Sequence, residues 1–371
     1  MPVPLIDLTR NQAQLAEIEA AVVRVVRSGQ YILGPEVENL EKELADYLGC
    51  RHALTMSSGT DALLAPMMAL GIGPGDEVVL PTYSFFATAG TVARTGATPV
   101  FVDSEPVFKN IDPQGLEDAL KRCKNPKAVV GVHLFGAAFD VDAVTRICRE
   151  HSVPLIEDSA QAIGTKHQGR MLGSAGLCAG WSTFPTKNFG GIGDGGFLTT
   201  DDTEFFEKCR LLRNHGMEQQ YLHHMIGGNF RMDALQAAAL RVKLRSMEEV
   251  TEIRRQNAAN YRRLFDEAGL TDWAELPTDT DRHAYHQFVL HVPEEQRDPA
   301  IQHLRAQGVG CAVYYPVPFH RQPCFQYLGY DAKDFPVADE ASRRSLALPI
   351  FQGLTEAEQV DVVGALKHFV H

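Results

Sequence analysis

A single lysine stands directly before a run of glycines in this chain. The segment FPTKNFGGIGDGG, residues 184–196, places Lys187 ahead of five glycines. A P-loop has its lysine after the glycines, and a dinucleotide fingerprint needs a helix after them, whereas the strand-like FLTT follows here. Neither nucleotide motif fits. For Lys187 taken alone, a covalently reacting amine and a solvated loop lysine are the two interpretations.

A carboxylate, Asp158, stands at the end of the apolar stretch PLIED, residues 154–158. In an open parallel sheet, ligands bind at the carboxyl ends of the strands. Asp158 is therefore placed to pair with a cation in the cleft, although an aspartate that follows a strand caps a helix equally well.

Small polar residues precede an apolar helical run in MSSGTDALLAPMMALG, residues 56–71. Free N–H groups at a helix start, with Ser and Thr hydroxyls, bind an anion without Lys or Arg, and an ordinary N-cap uses the same residues. An amine, a carboxylate and an anion pocket together suit a ligand with an aldehyde, a basic ring nitrogen and a phosphate. Pyridoxal 5'-phosphate has all three.

The elements that must position these residues alternate along the chain. Short β-branched runs such as EVVLP, PVFVD and AVVGVHLFG are separated by segments with apolar residues at helical spacing. This alternation predicts an α/β fold with a mostly parallel, doubly wound sheet. The sequence then predicts long helices from residue 232 to 265. After them, strand-like and helix-like segments alternate again to the end of the chain. We expect a large domain over residues 1–250, with an N-terminal helical arm, and a smaller C-terminal α+β domain over 251–371.

Composition excludes several classes of function. The net charge of -12 argues against a nucleic-acid groove or an anionic membrane surface, because both recruit clustered Lys and Arg. The N-terminus has no signal-like pattern and no apolar run is long enough to span a bilayer, so a cytoplasmic protein is expected. The seven cysteines form no CxxC pair and the histidines no HExxH motif, so neither disulfides nor a metal site are expected.

The ordered motifs resemble those of the DegT/DnrJ/EryC1/StrS family of sugar aminotransferases, within the aspartate aminotransferase fold class (fold type I). The resemblance runs almost end to end through SGQYILGPEVENLEKELADYLG, SSGTDAL, GPGDEVVLPTYSFFAT, EDSAQAIG, STFPTKNFGGIGDGG, LRNHG and NFRMDALQAA. It implies a pyridoxal phosphate enzyme. Some relatives with histidine in place of the lysine act as dehydratases, so Lys187 favours amino transfer.

The resemblance also implies roles for single residues. Lys187 would hold the cofactor, Asp158 would pair with its ring nitrogen, and Gln161 would contact its ring hydroxyl. The other implied cofactor contacts are the phosphate ligands Gly59, Thr60 and Ser182, the ring-stacking Phe85, and Asn229, which reaches a phosphate across a subunit interface. A homodimer with shared active sites follows from that last contact.

The substrate implied is a nucleotide-linked ketosugar, with L-glutamate as the amino donor. The segment SGQYILGPEV is more similar to enzymes that aminate C3 than C4 of a UDP- or dTDP-linked sugar. The candidate substrate residues are Tyr31, Arg213, His215, Arg231, Tyr315 and His320, for each of which a surface or interface role is the alternative. An aminocyclitol aminotransferase and a non-catalytic regulatory relative are the alternative functions. A dehydrogenase is excluded by the strand that follows the glycines.

Overall fold

The computed structural model describes residues 2–10, 14–280 and 282–371. Several helices begin at an aspartate that accepts a backbone N–H, as Asp112, Asp140 and Asp202 do. In the described residues the helices are α1 Leu15–Ser28, α2 Pro35–Leu48, α3 Gly59–Ala69, α4 Ala87–Thr95, α5 Pro113–Arg122, α6 Val141–Glu150, α7 Thr203–Arg213, α8 Ala234–Leu244, α9 Met247–Ala268, α10 Glu294–Ala306, α11 Pro336–Arg344 and α12 Glu356–Val370.

A seven-stranded sheet forms the centre of the molecule, in the order β1-β9-β8-β5-β4-β2-β3. The strands are β1 His52–Met56, β2 Glu77–Pro81, β3 Thr98–Val102, β4 Pro126–Val132, β5 Leu155–Asp158, β6 Lys166–His167, β7 Arg170–Met171, β8 Cys178–Ser182, β9 Gly196–Thr200, β10 Met217–Gln219, β11 Leu222–His223, β12 Phe288–His291 and β13 Ser345–Leu348. Within the large sheet β9 runs antiparallel to β1 and β8, and the other neighbours pair in parallel. The predicted mostly parallel sheet is confirmed.

Helices cover both faces of the sheet. Along β2, Val79 packs into a core with α2, α5, α6 and α8, whereas Val78 and Leu80 pack into a second core with α3, α4 and α7. Strands buried on both faces explain the continuous apolar runs of the sequence. The same alternation turns Ile156 and Asp158 of β5 toward the face that α3 and α4 cover.

A third core lies among the C-terminal elements. It joins α9, α10 and α12 to the antiparallel pair β12–β13, and Val3 from the N-terminal segment packs into it. Val3 also exchanges backbone hydrogen bonds with Gly308 and Gly310. Helix α9 passes residue 250 without a break, and the division into two domains there stays a prediction. No helix in the described part of the chain is long and apolar enough to cross a bilayer.

Candidate active site

Lys187 lies in a tight loop between the antiparallel strands β8 and β9. The loop is held closed because Thr183 N–H donates to Gly195 O at 3.0 Å and Gly191 N–H donates to Thr183 O at 2.7 Å. A Cβ on Gly190 would lie 2.2 Å from the carbonyl oxygen of Pro185. Only glycine fits at position 190, because the backbone there passes so close to the backbone of Pro185. The loop thereby holds Lys187 at the end of the sheet.

The Lys187 amine has an unusual protonation equilibrium for a lysine. Burial lowers its pKa to about 8, and the negative charge of Asp158 opposes part of that shift. A lysine with a pKa near 8 has a substantial neutral fraction at slightly alkaline pH. The neutral amine is the nucleophile and the base, so this environment suits covalent amine chemistry.

Asp158 occupies the last position of β5 and is 5% exposed. Its Oδ2 accepts a 2.7 Å hydrogen bond from Thr88 Oγ1, and its Oδ1 accepts one of 3.2 Å from the Ala160 N–H. Burial nevertheless raises the pKa of this carboxyl group. Both donors are neutral, and in the described part of the chain no cation forms an ion pair with it. A cationic ligand group in the cleft would stabilise its charged form.

The side chain of Gln161 joins the sheet to the C-terminal region. Its Oε1 accepts from the Phe135 N–H at 2.6 Å, and its Nε2 donates to the Tyr315 hydroxyl at 2.9 Å. The ring of Tyr315 lies 6.3 Å from the ring of Phe85, which is 56% exposed. An aromatic wall with one exposed ring therefore stands at the same sheet edge as Asp158.

The start of α3, which we call the anion cradle, offers backbone N–H groups to a ligand. Ser58 is the N-cap and accepts the Asp61 N–H at 3.1 Å, while the N–H groups of Gly59 and Thr60 have no acceptor among the described residues. A Cβ on Gly59 would lie 2.7 Å from Cβ of Ser182. The N-cap interpretation of this segment is confirmed at Ser58, and its anion-binding interpretation at Gly59 and Thr60 stays a prediction. Amine, carboxylate and cradle fit the chemistry of pyridoxal phosphate.

Two candidate substrate residues are already engaged by other side chains. Arg213 is buried and its guanidinium pairs with Glu41 and donates to Thr55. His320 is buried with one ring nitrogen 2.8 Å from Thr82 Oγ1 and the other 3.2 Å from an Asp339 carboxylate oxygen. Their substrate roles stay predictions that these contacts do not favour.

The remaining candidates, Tyr31, His215, Asn229 and Arg231, lie around one rim. Arg231 donates to the Asn214 side chain, and its Nε is buried with no hydrogen-bond partner among the residues described. Asn229 and His215 are exposed, and Tyr31 O accepts the Ala234 N–H at 2.8 Å. This rim adjoins the anion cradle, because Phe230 O accepts the Ser57 N–H at 2.8 Å.

Thr88 was missed by the sequence interpretation, although the quoted segment PTYSFFAT contains it. The signal was its position three residues after Phe85, at the start of the helix that follows β2, a strand that β4 separates from β5. Only the fold shows that α4 directs this hydroxyl at Asp158.

A family model described as the DegT/DnrJ/EryC1/StrS aminotransferase family matches residues 12–367. The chain is 43% identical to a "Pleiotropic regulatory protein" of Geobacillus stearothermophilus over 100% of this chain and 99% of the relative. It is 38% identical to a UDP-2-acetamido-2-deoxy-3-oxo-D-glucuronate aminotransferase of Pseudomonas aeruginosa, covering 98% and 99% of the two chains. It is also 38% identical to a dTDP-3-amino-3,4,6-trideoxy-alpha-D-glucose transaminase of Streptomyces venezuelae, covering 99% and 96%.

Solved structures are similar over nearly the whole chain. DesV of S. venezuelae in complex with a ketimine intermediate superposes with a TM-score of 0.94 at 37% identity, covering 99% of this chain and 98% of that one. NtdA of Bacillus subtilis, with bound cofactor PMP, gives a TM-score of 0.93 at 31% identity, covering 100% and 85%.

Proposed function

The chain belongs to the DegT/DnrJ/EryC1/StrS aminotransferase family, and we propose that it aminates a ketone carbon of a UDP- or dTDP-linked sugar. It is a pyridoxal phosphate-dependent aminotransferase with the aspartate aminotransferase-like fold. The observation that carries the proposal is the placement of Lys187 and Asp158 at the carboxyl end of the sheet, beside the anion cradle of Gly59. The names of two relatives, with a 3-oxo and a 3-amino sugar, support C3 over C4.

The cofactor, when bound, supplies an aldehyde for amine capture and a ring that accepts electrons from the Cα–H bond of the donor. The Asp158 carboxylate would keep a proton on the ring nitrogen by charge pairing. The Lys187 amine, released by the incoming donor amine, would take the proton from Cα and return it at C4'. A pKa near 8 suits a base with that task.

The cradle and the aromatic wall would bind and orient the cofactor. The Gly59 and Thr60 N–H groups with the Ser182 hydroxyl would hold its phosphate, Phe85 would cover one face of its ring, and Gln161 would contact its ring hydroxyl. The exposed Asn229 supports a homodimer in which this side chain completes the phosphate site of the partner subunit. L-Glutamate is the proposed donor.

A purely regulatory role is the second candidate, because one relative is named a regulatory protein. A scaffold without catalysis has no use for a buried lysine whose pKa is lowered to about 8 and that interacts electrostatically with a buried carboxylate whose pKa is raised. These two features favour the enzyme. An aminocyclitol aminotransferase would use the same residues, so acceptor specificity alone separates it from a sugar aminotransferase.

The test is a pair of half-reactions on protein loaded with pyridoxal phosphate. Its visible absorption band should depend on Lys187 and should shift when L-glutamate is added. The converted protein should then regain the band with a UDP- or dTDP-3-ketosugar, more slowly with a 4-ketosugar, and not with scyllo-inosose. A band unaffected by every amino donor, or present unchanged in Lys187→Ala, would overturn the proposal.

A further inference from the structure

A cavity distinct from the cleft at Asp158 adjoins the loop of Lys187, on the side of the N-terminal segment. It has a volume of about 430 Å³, and its walls come from residues 6–8, the start of α1, the loop 185–192, the junction of α8 with α9, and Phe351. Three of the residues that line it are cationic: Lys187, Lys243 and Arg254. It is separate from the cradle of Gly59 and from Asp158, neither of which lines it.

Arg254 is a buried cation that forms no ion pair with any of the residues that the structure describes. It is 3% exposed, and its Nη1 donates to the carbonyl oxygens of Tyr285, His286 and Ile350 at 2.9, 3.2 and 3.2 Å. Its Nε is buried with no acceptor in the described part of the chain. Burial lowers the pKa of this guanidinium to about 10. A buried charge left with unused donors is costly unless a ligand satisfies them.

Lys243 is a second cation that forms no ion pair within the described ranges. Its Nζ donates to the Gly190 carbonyl at 2.6 Å, and burial lowers its pKa. The one carboxylate that lines the cavity among the described residues is Asp7. Asp7 is engaged elsewhere, since it accepts from the Thr9 N–H and hydroxyl at 2.8 and 2.6 Å and from Arg10 Nε at 3.0 Å. The cavity is therefore cationic in a chain whose net charge is -12.

The rest of the lining combines apolar side chains with the neutral polar residues Gln14, Asn188, Ser246 and Gln352. The apolar part forms one wall. It includes Ile6, Leu15, Ile18, Met247, Val250 and Phe351. This combination suits a small organic acid, whose carbon chain contacts the apolar wall and whose carboxylate meets the cations. A phosphate has its own place in the cradle of Gly59, where backbone N–H groups are free.

We propose that this cavity is the carboxylate subsite for the amino donor, with Arg254 and Lys243 binding the side-chain carboxylate of L-glutamate while its amine approaches Lys187. The inference rests on the proposed function and deepens it, because it names the part of the site that selects an acidic donor. The same cavity then serves the half-reaction in which glutamate leaves as 2-oxoglutarate, since both compounds keep that carboxylate.

The test uses glutarate, a dicarboxylate without the reacting amine, and glutaramide, its neutral diamide. Calorimetry on the cofactor-loaded protein should show glutarate binding to wild type and no measurable binding of glutaramide. Lys243→Gln should weaken glutarate about tenfold or more, since a hydrogen bond to a charged group contributes about 1.5–3 kcal/mol. Lys208→Gln, an exposed lysine of α7 paired with Glu204, is the matched control and should bind glutarate as wild type does.

Several outcomes overturn the inference. The first is equal glutarate affinity in wild type and in folded Lys243→Gln. The second is equal binding of glutarate and glutaramide to the wild-type protein, a comparison that needs no variant. If inorganic phosphate binds more tightly than glutarate and its binding is lost in Lys243→Gln, the cavity is a phosphate site instead. If glutarate binds as expected but no amino donor shifts the absorption band, the proposed function fails while the anion site stands. If the protein turns over with L-glutamate but Lys243→Gln binds glutarate as wild type does, the inference about the cavity fails while the proposed function stands.

Discussion

Thr88 Oγ1 donates a 2.7 Å hydrogen bond to Asp158 Oδ2, which ties the first turn of α4 to the end of β5. This hydrogen bond lowers the pKa of a carboxyl group that burial raises. Thr88 thus helps to keep Asp158 ionised, and ionised Asp158 is the form that can pair with a cationic ring nitrogen.

Replacing Thr88 by valine keeps the shape of the side chain and removes the donor. We expect the pKa of Asp158 to rise further and kcat/KM to fall about tenfold or more, because a hydrogen bond to a charged group is worth about 1.5–3 kcal/mol. Steady-state kinetics across pH measures the effect, which should be larger toward acid pH. Thr91→Val is the matched control, since its hydroxyl donates only within α4. Equal kinetics in the two variants would contradict the assigned role.

The Lys187 amine should titrate near its lowered pKa of about 8 in protein from which the cofactor has been removed. The rate at which this protein captures pyridoxal phosphate should rise with pH through that value. Because Asp158 raises the pKa of Lys187, Asp158→Asn should move the midpoint to lower pH. A midpoint near 10.5, the ordinary lysine value, or one unmoved by Asp158→Asn, would show that the two groups do not interact.

The lowered pKa of Lys187 also makes the free energy of unfolding depend on pH. A lysine whose folded pKa is below its unfolded pKa binds fewer protons in the folded state between about pH 8 and 10.5. Across that window the contribution of Lys187 to the free energy of unfolding should become less unfavourable as pH rises. Below the window both states are protonated and the penalty is fully present. Lys187→Met should therefore be more stable than the parent protein at pH 7, with a smaller difference at pH 10, as measured by denaturant unfolding.

The size of the side chain at position 59 should affect both stability and cofactor binding. A Cβ there would lie 2.7 Å from Cβ of Ser182, so Gly59→Ala must displace the cradle. We expect the free energy of unfolding to fall by about 1–3 kcal/mol, the usual cost of overpacking, and affinity for pyridoxal phosphate to weaken. Gly73→Ala is the control, because its nearest neighbour atom would be 3.9 Å away. Fluorescence titration of the cofactor would show normal affinity in Gly59→Ala if the cradle is not used.

The sequence was most informative where one segment contains the whole signal. The strand before Asp158, the N-cap beside Gly59 and the loop of Lys187 are all local patterns, and the structure has each of them. It was least informative where partners are distant along the chain. Arg213 pairs with Glu41, 172 residues away, and His320 contacts Thr82, 238 residues away. No local pattern reveals such partners. The packing of α2 and α7 against the sheet brings the first pair together, and the second pair forms where the turn Phe319–Arg321 meets the end of β2.

Arg213 and Arg231 are two arginines of one sequence neighbourhood that should respond differently to substitution. Arg213 is buried against Glu41 and Thr55, so Arg213→Gln leaves a carboxylate unpaired and should lower the free energy of unfolding by about 3 kcal/mol. Its KM for the sugar nucleotide should stay near the parent value in the fraction that folds.

In the described residues the Arg231 guanidinium donates a hydrogen bond to the neutral Asn214 side chain, forms no ion pair with a carboxylate, and keeps its buried Nε without a partner. Arg231→Gln should therefore change stability little, by under about 1 kcal/mol. It should raise KM for a nucleotide-linked sugar about tenfold or more, because a guanidinium binds a diphosphate by paired charged hydrogen bonds. Thermal melts and initial rates on both variants separate the two roles. A raised KM in Arg213→Gln with normal stability, together with an unaffected Arg231→Gln, would reverse the assignment and place the nucleotide against α7.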